Sequence, residues 1–292
     1  TVARFDEGTA ITFKARDEGR NDAQIRYFAD AASAVNALRA GDVDVVWAMQ
    51  APQLLDALPD EIGVQVGTTN GEVLLSMNNN AAPFDDPDVR RAVAHAIDRD
   101  ALNQVVYNGM ATDTGGAPVP PTDPWFSSHN YYPFDPDRAR ELLAGRTPEI
   151  TITVPSLPYA QTAAELIFSQ LRDVGFTVHL ETVEFPAVWL TKVLKGADYQ
   201  ASIIAHVEPR DIPNLFGNPD YYLGYDNARV RELIAAGDVE SMRLAVDQIM
   251  DDAGALTLAN APNIVLTRPG ISGVDPNVVT DSLPLANIEV AD

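Results

Sequence analysis

The feature that most constrains this chain is a repeated alternation in which a helical stretch is cut off by glycine and followed by a β-branched run. Residues 31–40 are rich in Ala and Leu, Gly41 follows, and 43–47 are strand-forming. A helix stopped by Gly and continued as a strand is the αβ half of a crossover unit. The pattern recurs. Residues 10–16 and 24–29 read as strands, 52–58 as a helical stretch and 62–66 as a further strand. Residues 158–174 place Tyr159, Ala163, Leu166, Ile167, Leu171 and Val174 on one stripe, Gly175 ends that helix, and 176–180 alternate as a half-buried strand. The expected class is therefore α/β, with mixed sheets flanked by helices.

Two helix starts are explicit. In Asp86-Pro87-Asp88-Val89 and again in Asp135-Pro136-Asp137-Arg138, an aspartate can cap free backbone N–H groups. The proline takes the first helical position, where no donor is missed. Between these elements, residues 111–132 carry Gly115, Gly116, Pro118, Pro120, Pro121 and Pro124 and read as a long irregular loop. Residues 208–226, with three prolines and three tyrosines, read as a second one.

Charge excludes several partners. Twenty basic residues against 42 acidic ones leave a net charge of −22, which repels nucleic acid and anionic membrane surfaces. There is no cysteine among the 292 residues, so disulfides, thiol nucleophiles and thiolate metal sites are all absent. No apolar run approaches the roughly 20 residues of a membrane helix. The chain starts Thr-Val-Ala-Arg, without a basic and apolar leader, and reads as a processed or trimmed product.

Motifs of catalysis and cofactor binding are missing. His95, His129, His179 and His206 are scattered, and none has a His or carboxylate at a helical or turn spacing that marks a metal-ligand pair. GxSxG, SxxK, HExxH, GxGxxG and GxxxxGK do not occur, so no nucleophile, metal or nucleotide site is expected and no cofactor is implied. With 42 carboxylates, chance acidic pairs are too common to define a glycosidase dyad.

Residues 78–102, Asn-Asn-Asn-Ala-Ala-Pro-Phe-Asp-Asp-Pro-Asp-Val-Arg-Arg-Ala-Val-Ala-His-Ala-Ile-Asp-Arg-Asp-Ala-Leu, are more specific. They resemble the signature region of the family 5 extracellular solute-binding proteins of ABC importers, the oligopeptide and dipeptide receptors. Further resemblances follow in the family's order: Leu38-Arg39-Ala40-Gly41-Asp42-Val43-Asp44, then Tyr132 to Leu143 with its Asp-Pro helix start, then Glu165 to Val178 with Leu171 and Gly175. The resemblance covers nearly the whole chain. Caps and stops explain most of these residues structurally, so they mark the fold better than the ligand.

The resemblance implies a periplasmic-binding-protein-like fold of type II, the peptide-receptor class, with part of one lobe and a complete second lobe. Residues 1–70 would belong to the partial lobe, 71–265 to the complete one, and 266–292 would return to the first. It also implies a non-catalytic hinged clamp, monomeric, outside the cytoplasm and lipid-anchored when intact. Such a clamp closes over a peptide or peptide-like solute and is recognised by the membrane permease of the importer. In the peptide receptors a carboxylate that follows a Trp at a strand end takes the ligand's ammonium. Here His206 stands where that Trp is expected, Glu208 lies closest to the family's acid, and Asp211 is next. The family's ligand-lining strand maps onto Asn70-Gly71-Glu72-Val73, where Gly71 would let a ligand backbone approach and Glu72 would line the site. Trp189, Tyr221, Tyr222 and Tyr225 are candidate pocket walls. His206 in place of Trp leaves open a different solute, such as a nickel chelate, glutathione or a sugar. An acidic hydrolase is the reading from another class.

Overall fold

A computed structural model describes residues 1–17, 20–208, 210–277, 283 and 285–291. The chain divides into two compact units, Thr1–Gly67 with Asn263–Asp292, and Thr68–Pro262.

The first unit holds an antiparallel sheet of β1 (Val2–Asp6), β2 (Ala10–Phe13) and β3 (Ala23–Arg26), in that order. Helix α1 (Ala31–Ala40) starts on Asp30, whose side chain accepts from the Ser33 N–H, and ends on Gly41 at φ 83°. That left-handed turn is one a Cβ would strain. Strand β4 is short (Val45–Val46). It pairs with Leu266 and Thr267. Residues 52–57 form a 3₁₀ turn rather than an α-helix. Strand β5 runs without a break from Gly63 to Met77, so the strand expected at 62–66 is only its first third.

In the second unit β5 continues into α2 (Pro87–Ala96) and α3 (Arg99–Tyr107), then α4 (Pro136–Leu143), β6 (Glu149–Pro155), α5 (Pro158–Val174) and β7 (Thr177–Val183). After these come α6 (Ala187–Trp189) with a wider turn over Leu190–Lys195, β8 (Ala201–His206), α7 (Ile212–Phe216), α8 (Ala228–Ala236), α9 (Val239–Asp251) and β9 (Leu256–Thr267). The second unit's sheet follows the order β9-β5-β8-β6-β7. β5 is antiparallel to β8, and β6 is parallel to both β8 and β7. The remaining strands, β10 (Ile271–Ser272) and β11 (Glu289–Val290), pair in the first unit.

The core of the second unit is one contiguous apolar cluster, from Val73 to Ala259, built of sheet residues and the inner stripes of its helices. On α5 the buried stripe is Ala160, Ala163, Ala164, Ile167, Leu171 and Val174, with Tyr159 and Leu166 at its margin. Both Asp-Pro starts form as expected: Asp86 accepts from the Asp88 N–H and Asp135 from the Arg138 N–H.

The asparagine run is a structural tie. The Asn78 amide donates to the carbonyls of Ala197 and Tyr199, and that of Asn79 to those of Leu223 and Gly254. Arg90, buried on α2, donates to the carbonyls of Phe84, Asp252 and Ala253. These side chains add donors to loop carbonyls, so the run ties its loops in place.

Candidate ligand-binding site

The site is made where β8 ends. Residues 72, 74 and 76 of β5 stand opposite 206, 204 and 202 of β8. Side chains directly opposed in an antiparallel pair share a face. Glu72, Ser76, Ser202 and His206 therefore lie on one side of the sheet. All four are buried.

Tyr222 arrives from the irregular segment and fixes the imidazole. Its hydroxyl lies 2.7 Å from His206 Nε2 and 2.7 Å from Ser76 Oγ, and its ring stacks on the imidazole at 5.9 Å. Trp189 stands behind it at 6.3 Å and donates its indole N–H to Ser202 Oγ. The structure thus corrects the expectation that Trp189 and Tyr222 wall a pocket: both are core residues, 3% and 2% exposed, and Tyr222 acts by orienting His206. Tyr225 is likewise buried and donates to Asp252. Tyr221 is half-buried against Tyr222 at 5.1 Å. Gly71 is buried too. A Cβ there would meet Thr69 Oγ1 at 3.0 Å and Ala261 at 3.5 Å, so the space beside it is filled by its own chain.

Past His206 the chain bends, leaving Glu208 exposed and Asp211 buried at the start of α7. Asp211 occupies the N-cap position of α7, yet its side chain makes no capping bond. Its Oδ2 is turned toward His206 Nδ1 at 3.6 Å and has no hydrogen-bond partner, and neither has Glu72 Oε2. The ligating atoms of His206, Glu208 and Asp211 all lie within 4.8 Å of one another. Sequence spacing marked no metal-ligand pair at the four histidines, and the fold brings one of them, His206, together with Glu208 and Asp211. The spacing 206, 208, 211 is neither helical nor that of a turn. It works because a strand end and a bend fold the three back together.

Electrostatics make the cluster unusual. Burial, with Asp211 nearby, pushes the Glu72 carboxyl up to about 9. Burial, with Glu208 nearby, pushes Asp211 up to about 7, while burial lowers the His206 imidazole to about 4. An uncharged imidazole at 3.6 Å from a carboxyl is neither an ion pair nor a hydrogen bond. Asp123, the fourth acid nearby, is paired with Arg210 at 3.2 Å, and Arg210 also lies over the Trp125 ring. Among the described residues no Lys or Arg pairs with Glu72, Glu208 or Asp211. Acceptors crowded in this way, two of them buried and unpartnered, call for a cation from outside.

The sequence matches the bacterial extracellular solute-binding proteins, family 5 Middle, over residues 2–227, and the chain belongs to that family. It is 25% identical over 306 residues to a probable di/tripeptide-binding protein 5 of Pseudomonas aeruginosa, covering 94% of this chain and 58% of the relative. Two solved structures share the fold across the whole chain. One is the periplasmic binding protein AgaA in complex with agropinic acid from A. tumefaciens, with a TM-score of 0.81 at 22% identity and 66% of that chain covered. The other is the periplasmic binding protein DppA of Helicobacter pylori in complex with the peptide STSA, with a TM-score of 0.81 at 21% identity and 62% of that chain covered. The chain therefore spans about three-fifths of the relatives it matches. Among the described residues no helix is long and apolar enough to cross a membrane.

Proposed function

We propose that this chain is the ligand-holding part of an extracytoplasmic solute-binding component of an ABC importer. It takes peptides or peptide-like solutes without chemical turnover, and its second unit receives the solute's free amino group. Asp211 carries the reading: a buried N-cap carboxylate that does not cap its own helix, is aimed at a neutral imidazole, and has no hydrogen-bond partner at Oδ2. A charge-assisted bond from an ammonium group satisfies it, with Glu208 at the exposed edge closing the tripod.

Binding fits the cluster better than catalysis. The Tyr222 phenol is pushed far up by burial, and burial makes His206 a weak base. Neither is poised for proton transfer near neutral pH. The permease as partner, the monomeric state and a lipid anchor on the intact protein belong to the same proposal, and so does a hinged closure over the solute.

Calorimetric titration of the native protein with a short peptide and its Nα-acetylated form tests the reading. Acetylation, or the Asp211→Asn substitution, is expected to weaken binding by at least about 30-fold, the usual effect of removing one member of a buried charged pair. Equal affinity for the two peptides would sink the amine site and favour a solute recognised by other groups.

A further inference from the structure

The amine site holds more acid than one ammonium group needs. Asp123 has its own arginine, which leaves Glu72, Glu208 and Asp211 without a basic partner among the described residues. Glu208 and Asp211 flank the gap beside His206 Nδ1. Glu72 stands one strand away, opposite His206, and its carboxyl is 3% exposed with Oε2 unpartnered. Acids used structurally in this chain look different. Asp113 is bonded by Arg99 at 2.9 Å and Glu181 by Lys192 at 2.5 Å, each with its own cation. A strand residue serving packing alone would be better apolar, since a buried carboxyl without a partner destabilises its surroundings.

Resting on the amine reading above, we infer that the solute carries two cationic nitrogens on its first residue. The α-ammonium is taken by Asp211 and Glu208, and a side-chain amine or guanidinium, on the order of 5 Å away across the strand pair, by Glu72. The ligand class is a peptide or peptide-like compound that begins with a basic residue such as lysine, ornithine or arginine. A second cationic group gives the Glu72 carboxyl, unpartnered at Oε2, a charge-assisted partner of its own.

Calorimetry on the native protein with Lys-Ala, its Nε-acetyl form and Ala-Ala separates the possibilities. Lys-Ala is expected to bind at least about tenfold tighter than the Nε-acetylated peptide, the effect of one desolvated charge-assisted bond. In Glu72→Gln that ratio is expected to fall to within about threefold. The first comparison needs no variant, so a folding defect cannot obscure it. Measurable binding of all three with no preference for the free side-chain amine overturns the inference and leaves the amine reading standing. Failure of all three to bind overturns both. Zinc chloride that binds more tightly than Lys-Ala and displaces it would also overturn the inference, by assigning the excess charge to a metal ion.

Discussion

Asp86 and Asp211 are both aspartates at the start of a helix that carries proline in its first turn, and they sit at opposite ends of the carboxylate range. At the start of α2 the Asp86 side chain accepts from the Asp88 N–H and from Arg146, and the bond from Arg146 above all holds its pKa below the ordinary carboxylate value. At the start of α7 the Asp211 side chain leaves the helix N–H groups alone, and burial raises it to about 7. The first arrangement spends the charge on folding. The second leaves it unmatched, which weakens the fold and keeps the charge for a ligand. One side chain type thus does opposite work, and the environment decides which.

The comparison can be broken by substitution. The largest expected effect is on binding: Asp211→Asn is expected to lose at least about 30-fold in affinity for a peptide with a free amino group. Asp86→Asn should leave that affinity unchanged.

Next comes the dependence of stability on pH. The Glu72 and Asp211 carboxyls are raised in the folded protein to about 9 and about 7. The native state therefore holds protons that the unfolded chain has already released. Their favourable contribution is full below pH 4 and is lost as pH rises through 7 and then 9. Thermal melts should show Glu72→Gln gaining on the parent as pH rises from 5 to 9. The gain should be on the order of 1–3 kcal/mol, the cost of a buried polar group without a partner. A constant difference across that range would show that Glu72 is not held protonated. Cation binding favours the ionised acids, so calorimetry at pH 6 in buffers of different ionisation enthalpy should detect proton release on peptide binding.

Tyr222→Phe removes the hydroxyl that touches both His206 and Ser76. It is expected to cost about 1–3 kcal/mol of stability through the partners left behind. It should also loosen the amine site, seen as a weaker peptide affinity with the same preference between peptides. The smallest effect is at the opposite pole: Asp86→Ala is expected to cost about 1 kcal/mol, the usual value of an N-cap, and to leave ligand binding alone. The Asp86 charge lies where solvent screens its contact with Arg146. A loss well above that would mean the cap holds more of the fold than its own helix.

Much of this was legible in the residues. Asp-Pro starts and glycine stops are local devices, so α1, α2, α4 and α5 could be read from the order of side chains alone. The length of β5 could not. Residues 63–77 carry Gly67, Asn70 and Gly71, which read as punctuation, and the strand runs through them beside β9 before it reaches its pairing with β8 at residues 72–77. The helical stretch expected at 52–58 is present as a 3₁₀ helix over 52–57, a type its residues did not specify. Within the site, His206, Glu208, Asp211 and Glu72 were found by resemblance to a family. Nothing in their order distinguishes the three acids among them from the chain's other 39 carboxylates. Ser76 was missed because a serine in an apolar strand carries no signal until Tyr222 is seen to reach it.

The sequence by itself determined the class of fold, the helix boundaries set by caps and stops, the absence of thiol chemistry, and membership of a solute-receptor family. Those follow from interactions within a few residues, or from composition. Only the tertiary structure decided which acids are buried with an atom left unpartnered. A carboxylate's role depends on its burial and on whether a partner lies within about 3 Å. For Asp86 that partner is two residues away in sequence. For Glu72 and His206 the neighbour that matters lies 134 positions along the chain, across one strand pair.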